Sequence, residues 1–310
     1  MAFSFDFTLD KNIQYGDQLI FFGSCFSEDI GQKAKNAGLN VYMNPFGVIY
    51  NPLALANLLH TIISKEPFRE RILQREDVFL DWSCAGTVYS MSKESLSTKL
   101  NHEKNTFKQK LKSSKVLFIT FGTSYSYYLK ETQDLVANCH KQPADKFEKR
   151  LESMENMLHA WKELLVALKT FNPSIQIVLT VSPVRHVKDG VIQNNRSKSR
   201  LLLLCEELEK ENSIFYFPSY EVILDDLRDY SFYKTDLVHP NERAIEYVWE
   251  LFKNNMIEKE DLRTMEEVLD FKKKSHHKIL YPESKKSKEF ILHLEEAKKK
   301  LLNQNPLICL

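Results

Sequence analysis

Gln18-Leu-Ile-Phe-Phe-Gly-Ser-Cys-Phe-Ser27 opens with a continuous apolar run, turns at Gly23 and passes straight into an amphipathic stretch. A run that does not alternate is the pattern of a strand buried on both faces, as in a parallel sheet. Ser27 to Ala37 reads as a helix, with Ser27 as its N-cap and Gly38 just past its end. Strand, turn and helix in direct succession are the opening unit of an α/β fold.

The unit repeats along the chain. Leu39 to Met43 reads as a second strand, and Pro52 starts a helix through Leu53, Leu55, Leu58 and Leu59. Val116 to Phe121 is a third strand, with Gly122 at its carboxyl end. Asp145 to Phe171 carries the clearest helical stripe, Phe147, Leu151, Met154, Leu158, Trp161, Leu165 and Leu168, stepping by three or four and therefore core. Ile175 to Val181 is a fourth strand, Ser199 to Lys210 a helix, and Ile214 to Phe217 a fifth strand. Asn241 caps a last core helix, Glu242 to Phe252, while residues 68–111 show no clear period and read as an insertion. The alternation predicts a five-stranded parallel sheet with helices on both faces. Ligands of such sheets bind beyond the carboxyl ends of the strands.

Composition removes several functions. The 310 residues hold eight glycines, and the closest pairs, Gly16/Gly23 and Gly31/Gly38, are seven apart. A dinucleotide fingerprint, a phosphate P-loop and a kinase Gly-rich loop all need closer glycines. The net charge of +1 implies no polyanionic partner such as nucleic acid. Cys25, Cys84, Cys139, Cys205 and Cys309 form an odd set without a CxxC pair. No signal-like start or apolar run of membrane-spanning length is present, so the chain reads as a reduced, cytoplasmic protein without an integral membrane segment. Residues 271–300 hold ten Lys and four Glu with no Asp or Arg, yet keep apolar residues such as Ile279, Phe290 and Leu294. The expected division is a core domain, 1–258, and a Lys-rich helical extension, 259–310, that packs on the core or on a second subunit.

Residue types needed for acyl transfer fall at strand ends. Cys25 follows the first strand, where the N–H groups and dipole of a helix N-terminus lower a thiol's pKa. Asp236 stands three residues before His239, ahead of the last core helix. A carboxylate so placed can accept the imidazole Nδ1–H and leave Nε2 to take a proton from a nucleophile. Gly47, in Asn44-Pro-Phe-Gly-Val-Ile-Tyr-Asn-Pro52, offers an N–H that can approach an oxyanion closely.

Phe21-Phe-Gly-Ser-Cys-Phe-Ser27 resembles the signature of the GSCFA-domain proteins, members of the SGNH/GDSL hydrolase-like superfamily. Asn44 to Pro52, Val136-Ala-Asn-Cys-His-Lys141, Thr180-Val-Ser-Pro-Val-Arg-His186 and Asp225-Asp-Leu-Arg-Asp-Tyr230 through Asp236-Leu-Val-His-Pro240 also resemble family blocks. The resemblance covers about residues 5 to 255. It implies a three-layer α/β/α sandwich of flavodoxin-like type with an esterase-like site. Laid on the superfamily's Gly-Asp-Ser-Leu block, Cys25 takes the nucleophile position and Ser24 the Asp position; Ser24 is the alternative nucleophile if the turn shifts by one. A Cys nucleophile implies a thioester acyl-enzyme, open to transfer as well as hydrolysis.

The glycine of the second block corresponds to Gly47. Ser124 stands where the third block's oxyanion-binding Asn is expected, so either Ser124 donates or another amide, such as Asn138, replaces it. Asp236 and His239 match the fifth block. Arg185 and His186, after the fourth strand, are candidates to hold substrate, or else to satisfy carbonyls around the loop. Cys139-His140 lacks partners at ligand spacing and His276-His277 reads as surface, so no metal and no cofactor are expected. The leading reading is an acyl-ester hydrolase or acyltransferase acting on a small-molecule or glycan ester. The alternative is a non-catalytic glycan- or acyl-binding module on the same fold.

Overall fold

β1 (Gln18–Gly23) is fully buried and divides its side chains between two apolar cores. Ile20 and Phe22 enter one, Leu19 and Phe21 the other, as the two-residue period of a strand requires. The computed structural model describes residue 7 and residues 9–310. Residues 1–6 and 8, at the start of the expected core domain, lie outside the described residues.

After β1 come α1 (Cys25–Asn36), β2 (Asn40–Met43), α2 (Pro52–Ile63), β3 (Ile72–Arg75), β4 (Val78–Asp81), β5 (Tyr89–Ser90) and α3 (Lys93–Ser113). There follow β6 (Ser114–Phe121), β7 (Tyr125–Leu129), β8 (Leu135–Val136), β9 (Phe147–Leu151), α4 (Met154–Phe171), β10 (Gln176–Val181) and α5 (Val191–Leu208). β11 (Ile214–Tyr216), a short turn α6 (Ser219–Glu221), α7 (Glu242–Met256), α8 (Lys259–Ser275) and α9 (Lys285–Gln304) complete the order.

The main sheet has the order β11-β10-β6-β1-β2, all parallel. Residues of α2, α3, α4 and α5 form the core on one face, while α1, α7 and parts of α8 and α9 form it on the other. This is the three-layer α/β/α sandwich. The chain leaves β1 for β2 on one side and then crosses to β6 on the other. That reversal opens a crevice beyond the carboxyl ends of β1 and β6, where doubly wound sheets hold their ligands.

Several local expectations are corrected. α1 begins at Cys25 with Ser24, not Ser27, at the N-cap, and the Ser27 hydroxyl bonds Thr120 Oγ1 at 2.6 Å inside the core. The expected helix from Asp145 starts only at Met154, with Ser153 accepting the Asn156 N–H as its cap. Phe147 to Leu151 is instead β9, paired antiparallel with β7. Residues 68–111 split in two: β3, β4 and β5 form a small antiparallel sheet, and α3 is an ordinary crossover helix with Leu96, Leu100, Phe107 and Leu111 in the core. α5 starts at Val191, a full two turns before Ser199. Its first half escaped the apolar stripe because Asn194, Ser197 and Lys198 are the buried residues there.

The Lys-rich segment packs on the core. Met265, Val268, Leu301 and Ile308 are buried with α1 and α7, and the Lys272 ammonium bonds the Lys35 and Cys309 carbonyls at 2.8 and 3.1 Å. Among the described residues no helix is long and apolar enough to cross a membrane.

Candidate active site

The crevice is built by loops that tie the strand ends together. Gly23 has φ +132°, and a Cβ there would lie 2.3 Å from the Thr120 carbonyl oxygen, so only glycine lets β1 and β6 close up at this point. Asn44 Oδ1 accepts the Gly23 N–H at 2.9 Å, and the Tyr50 carbonyl accepts the Gly122 N–H at 2.8 Å. The ends of β1, β2 and β6 thereby form one rigid rim.

Cys25 is the first residue of α1 and is half-buried. The N–H groups of Cys25 and Phe26 are turned toward its sulfur and favour the thiolate. Burial, then Asp29 and Glu28 on the same helix, outweigh them and push the thiol up. The helix terminus alone does not give the lowered value expected from sequence. Ser24 is 1% exposed, and its hydroxyl is buried without a hydrogen-bond partner among the described residues.

Asp236 and His239 form a closed unit. Asp236 Oδ1 accepts the N–H groups of Val238 at 2.9 Å and His239 at 3.0 Å, while Oδ2 lies 2.7 Å from His239 Nδ1. Those two backbone N–H groups, with the imidazole after them, hold the carboxyl well below the usual range. An ionised carboxylate only accepts, so Nδ1 carries the proton and Nε2 is left basic. Among the described residues no hydrogen bond joins His239 to Cys25.

Arg185 holds that edge together. Its N–H donates to the Val238 carbonyl at 3.3 Å, and its guanidinium lies 4.7 Å from the Tyr233 ring and 5.6 Å from Tyr230. His186 packs its ring edge-on to Tyr50 with 5.4 Å between centroids and leaves Nε2 buried without a partner among the described residues. Burial first, then the charges of Lys198 and His239, push the His186 imidazolium down to about 4, so the ring is neutral at pH 7. Tyr50 and Lys198 in turn feel Cys25, and Asp29 feels His239.

Two of the expected oxyanion donors are engaged elsewhere, while Asn138, among the described residues, uses only its acceptor oxygen. Gly47 closes a turn: its N–H donates to the Asn44 carbonyl at 2.8 Å, and a Cβ would meet Ala85 Cβ at 2.4 Å. Ser124 is fully buried, its N–H and hydroxyl bonded to Ser197 Oγ at 2.8 and 3.1 Å. Asn138 Oδ1 accepts the His140 N–H at 2.7 Å, within the turn after β8. His140 Nε2 donates to the Asp81 carbonyl at 2.8 Å, a structural bond. Among the described residues no three His, Cys, Asp or Glu side chains gather into a metal-holding group. A cavity of about 500 Å³, lined in part by His60, Arg69, Arg71 and Asp134, contains none of the expected site residues. A groove of about 440 Å³ beside α1 takes in Glu28 and Asp29.

Sequence reasoning missed three supports on α5. Asn194 Oδ1 accepts the His186 N–H at 2.8 Å, Ser197 holds Ser124, and Lys198 donates to the Gly122 and Ser182 carbonyls at 2.7 and 2.6 Å. The available signal was polar residues at helical spacing, i, i+3 and i+4, where an inward face is ordinarily apolar.

A parallel sheet with its crevice at the first crossover, a cysteine on the helix beyond β1 and an Asp–His unit before α7 define a three-layer α/β protein with an open strand-end site. The chain belongs to the GSCFA family, whose profile matches residues 18–252. No curated protein matches the chain. Among solved structures it is similar to the acetyl xylan esterase Est2A from the rumen bacterium Butyrivibrio proteoclasticus, at 11% identity and TM-score 0.40, covering 78% of this chain and 65% of that one. The match spans just under two thirds of that esterase's length. The lipase Lip_vut3 from a goat rumen metagenome gives 12% identity and TM-score 0.41, over 77% of this chain and 96% of the lipase. A family two carbohydrate esterase from Clostridium thermocellum gives 11% and 0.35, over 81% and 66%.

Proposed function

We propose that the protein is an acyl-ester hydrolase or acyltransferase with Cys25 as nucleophile, His239 as base and Asp236 as its orienter. The observation that carries this is the Asp236–His239 unit, with Nδ1 committed and Nε2 basic, at the same sheet edge as a half-buried thiol on a helix N-terminus. The thiol proton passes to His239 Nε2, and the sulfur adds to the ester carbonyl. The resulting oxyanion is received by the Cys25 and Phe26 N–H groups, the first-turn donors without intrahelical partners. Collapse breaks the C–O bond, and His239 returns the proton to the leaving alkoxide. Water or an alcohol, thiol or amine acceptor then gives its proton to His239 and attacks the thioester, releasing Cys25. The half-buried thiol supports Cys25 over Ser24, whose hydroxyl is enclosed. The substrate is a small-molecule or glycan ester, and five free cysteines support a reducing, cytoplasmic setting.

Mass spectrometry of the chain after incubation with aryl esters and thioesters tests this. An acyl adduct on Cys25, lost in Cys25→Ala and formed far more slowly in His239→Ala, is the expected result. Full turnover by Cys25→Ala sinks the mechanism. One observation favours the second reading, a binding module: Gly47 and Ser124 spend their donors on Asn44 and Ser197. A module of that kind would bind glycan or acyl ligands while giving no adduct.

A further inference from the structure

The cavity of about 500 Å³ is lined by three stretches far apart in sequence: Asn57 and His60 on α2, Arg69, Arg71 and Ser83 flanking the β3–β4 hairpin, and Asp134 just before β8. Two guanidiniums share it with a single carboxylate. Arg71 is built in. Its N–H donates to Oδ2 of the buried Asp81 at 2.6 Å, its carbonyl accepts the Trp82 N–H at 3.1 Å, and its Nη2 donates to Ser83 Oγ at 3.0 Å. The other oxygen of Asp81 takes the Ser83 N–H at 2.8 Å, so that carboxylate is occupied by backbone and does not line the cavity. Asp134 stands 3.9 Å from Arg71 Nη1, beyond hydrogen-bond distance. Among the described residues, Nε and Nη1 of Arg71 and the whole guanidinium of the exposed Arg69 have no hydrogen-bond acceptor. The other polar groups of the wall are uncharged. Burial pushes the His60 imidazolium down, which leaves the ring neutral at pH 7, and the Ser83 hydroxyl accepts from Arg71 while keeping its own proton to donate.

We propose that this cavity is a second binding site, one that takes a small hydroxylated molecule carrying an oxyanion, a carboxylate or a phosphate, on Arg69 and Arg71. A guanidinium presents its donors as a planar fork that matches two oxygens of either group. The Arg71 fork is held in place from one side by Ser83 and keeps its remaining donors for the ligand. Arg69 adds the second positive charge. Asp134 balances one of the two, which leaves one for the ligand's anion. Asn57, His60 and Ser83 supply the neutral hydrogen-bonding groups that hydroxyls need, and the volume is that of an ordinary small-molecule site. A sugar acid or a sugar phosphate has this chemistry. The site uses none of the residues assigned to acyl transfer and does not rest on that reading.

The test is isothermal titration of the full chain with glucose-6-phosphate, glucuronate and glucose, at constant ionic strength. At least one of the two anions is expected to bind at millimolar concentration or below, and which of them binds tells a phosphate bearer from a carboxylate bearer. Arg69→Ala and Arg71→Gln are each expected to weaken that binding about tenfold, and Asp134→Asn, which removes the competing charge, to tighten it. Circular dichroism establishes that each variant is folded. Arg69 is exposed and makes no hydrogen bond or ion pair among the described residues, so Arg69→Ala keeps the test decisive if Arg71→Gln does not fold. Binding of neither anion overturns the proposal, and so does equal binding by wild type and Arg69→Ala. Glucose bound as tightly as the better anion overturns it as well. No arm uses ester turnover, so a failed acyl-transfer reading and a failed anion site are seen separately.

Discussion

His239 Nδ1 lies 2.7 Å from Asp236 Oδ2, while the other oxygen of that carboxylate takes the backbone N–H of His239 itself. One side chain thereby fixes both the backbone and the ring of its partner, and with them the tautomer. Leu237, at φ +56°, makes the turn short enough for this.

Asp236→Asn leaves a neutral amide that no longer selects the Nδ1–H tautomer. Ester or thioester turnover is expected to fall about 10²–10⁴-fold with the melting temperature nearly unchanged, because the pair is exposed. Steady-state kinetics beside a thermal melt check it; wild-type turnover would remove Asp236 from the mechanism.

His186 gives a pH dependence of definite sign. Its folded pKa is about 4 against an ordinary 6.5, so between those values the unfolded chain binds more protons. Stability is full above about 6.5 and declines as pH falls toward 4. His186→Gln is expected to flatten that part of the curve of Tm against pH. A variant curve parallel to wild type from pH 4 to 6.5 contradicts it.

Gly23→Ala places a Cβ 2.3 Å from the Thr120 carbonyl oxygen at a φ that L-residues avoid. The expected cost is about 2–3 kcal/mol in urea unfolding. A change below about 0.5 kcal/mol would mean that the two strand ends can part without penalty.

Arg185→Met removes the guanidinium from the Tyr230 and Tyr233 rings, an interaction worth about 1 kcal/mol. The larger effect is expected in kcat rather than KM, because the loop that carries His239 loses its brace. Equal kcat with raised KM would instead assign Arg185 to substrate contact.

The parts of the fold legible in sequence are those where side-chain chemistry and burial agree. Gln18 to Gly23 is apolar throughout and fully buried, and Asp236 and His239 are a local pair whose spacing dictates their contact. β9 was illegible because Phe147 and Leu151, four apart, satisfy a helical stripe equally well; pairing with β7 decides the matter. The first half of α5 was illegible for the opposite reason, since its inward residues are polar. The duties of Gly47 and Ser124 depend on acceptors that sequence does not point to, Asn44 three residues back and Ser197 across the crevice.

The helix that presents Cys25 is covered by partners far along the chain. Lys33 pairs with Glu242 and Glu246, Lys272 reaches the Lys35 carbonyl across 237 positions, and the Gly38 carbonyl accepts the Cys309 N–H. Contacts of such long sequence separation form slowly. During synthesis the helix of Cys25 therefore emerges early and waits, its outer face bare, until more than 200 further residues have been made. The thiol exists long before the enclosure that governs its charge, and a chain caught in that interval carries an ordinary cysteine.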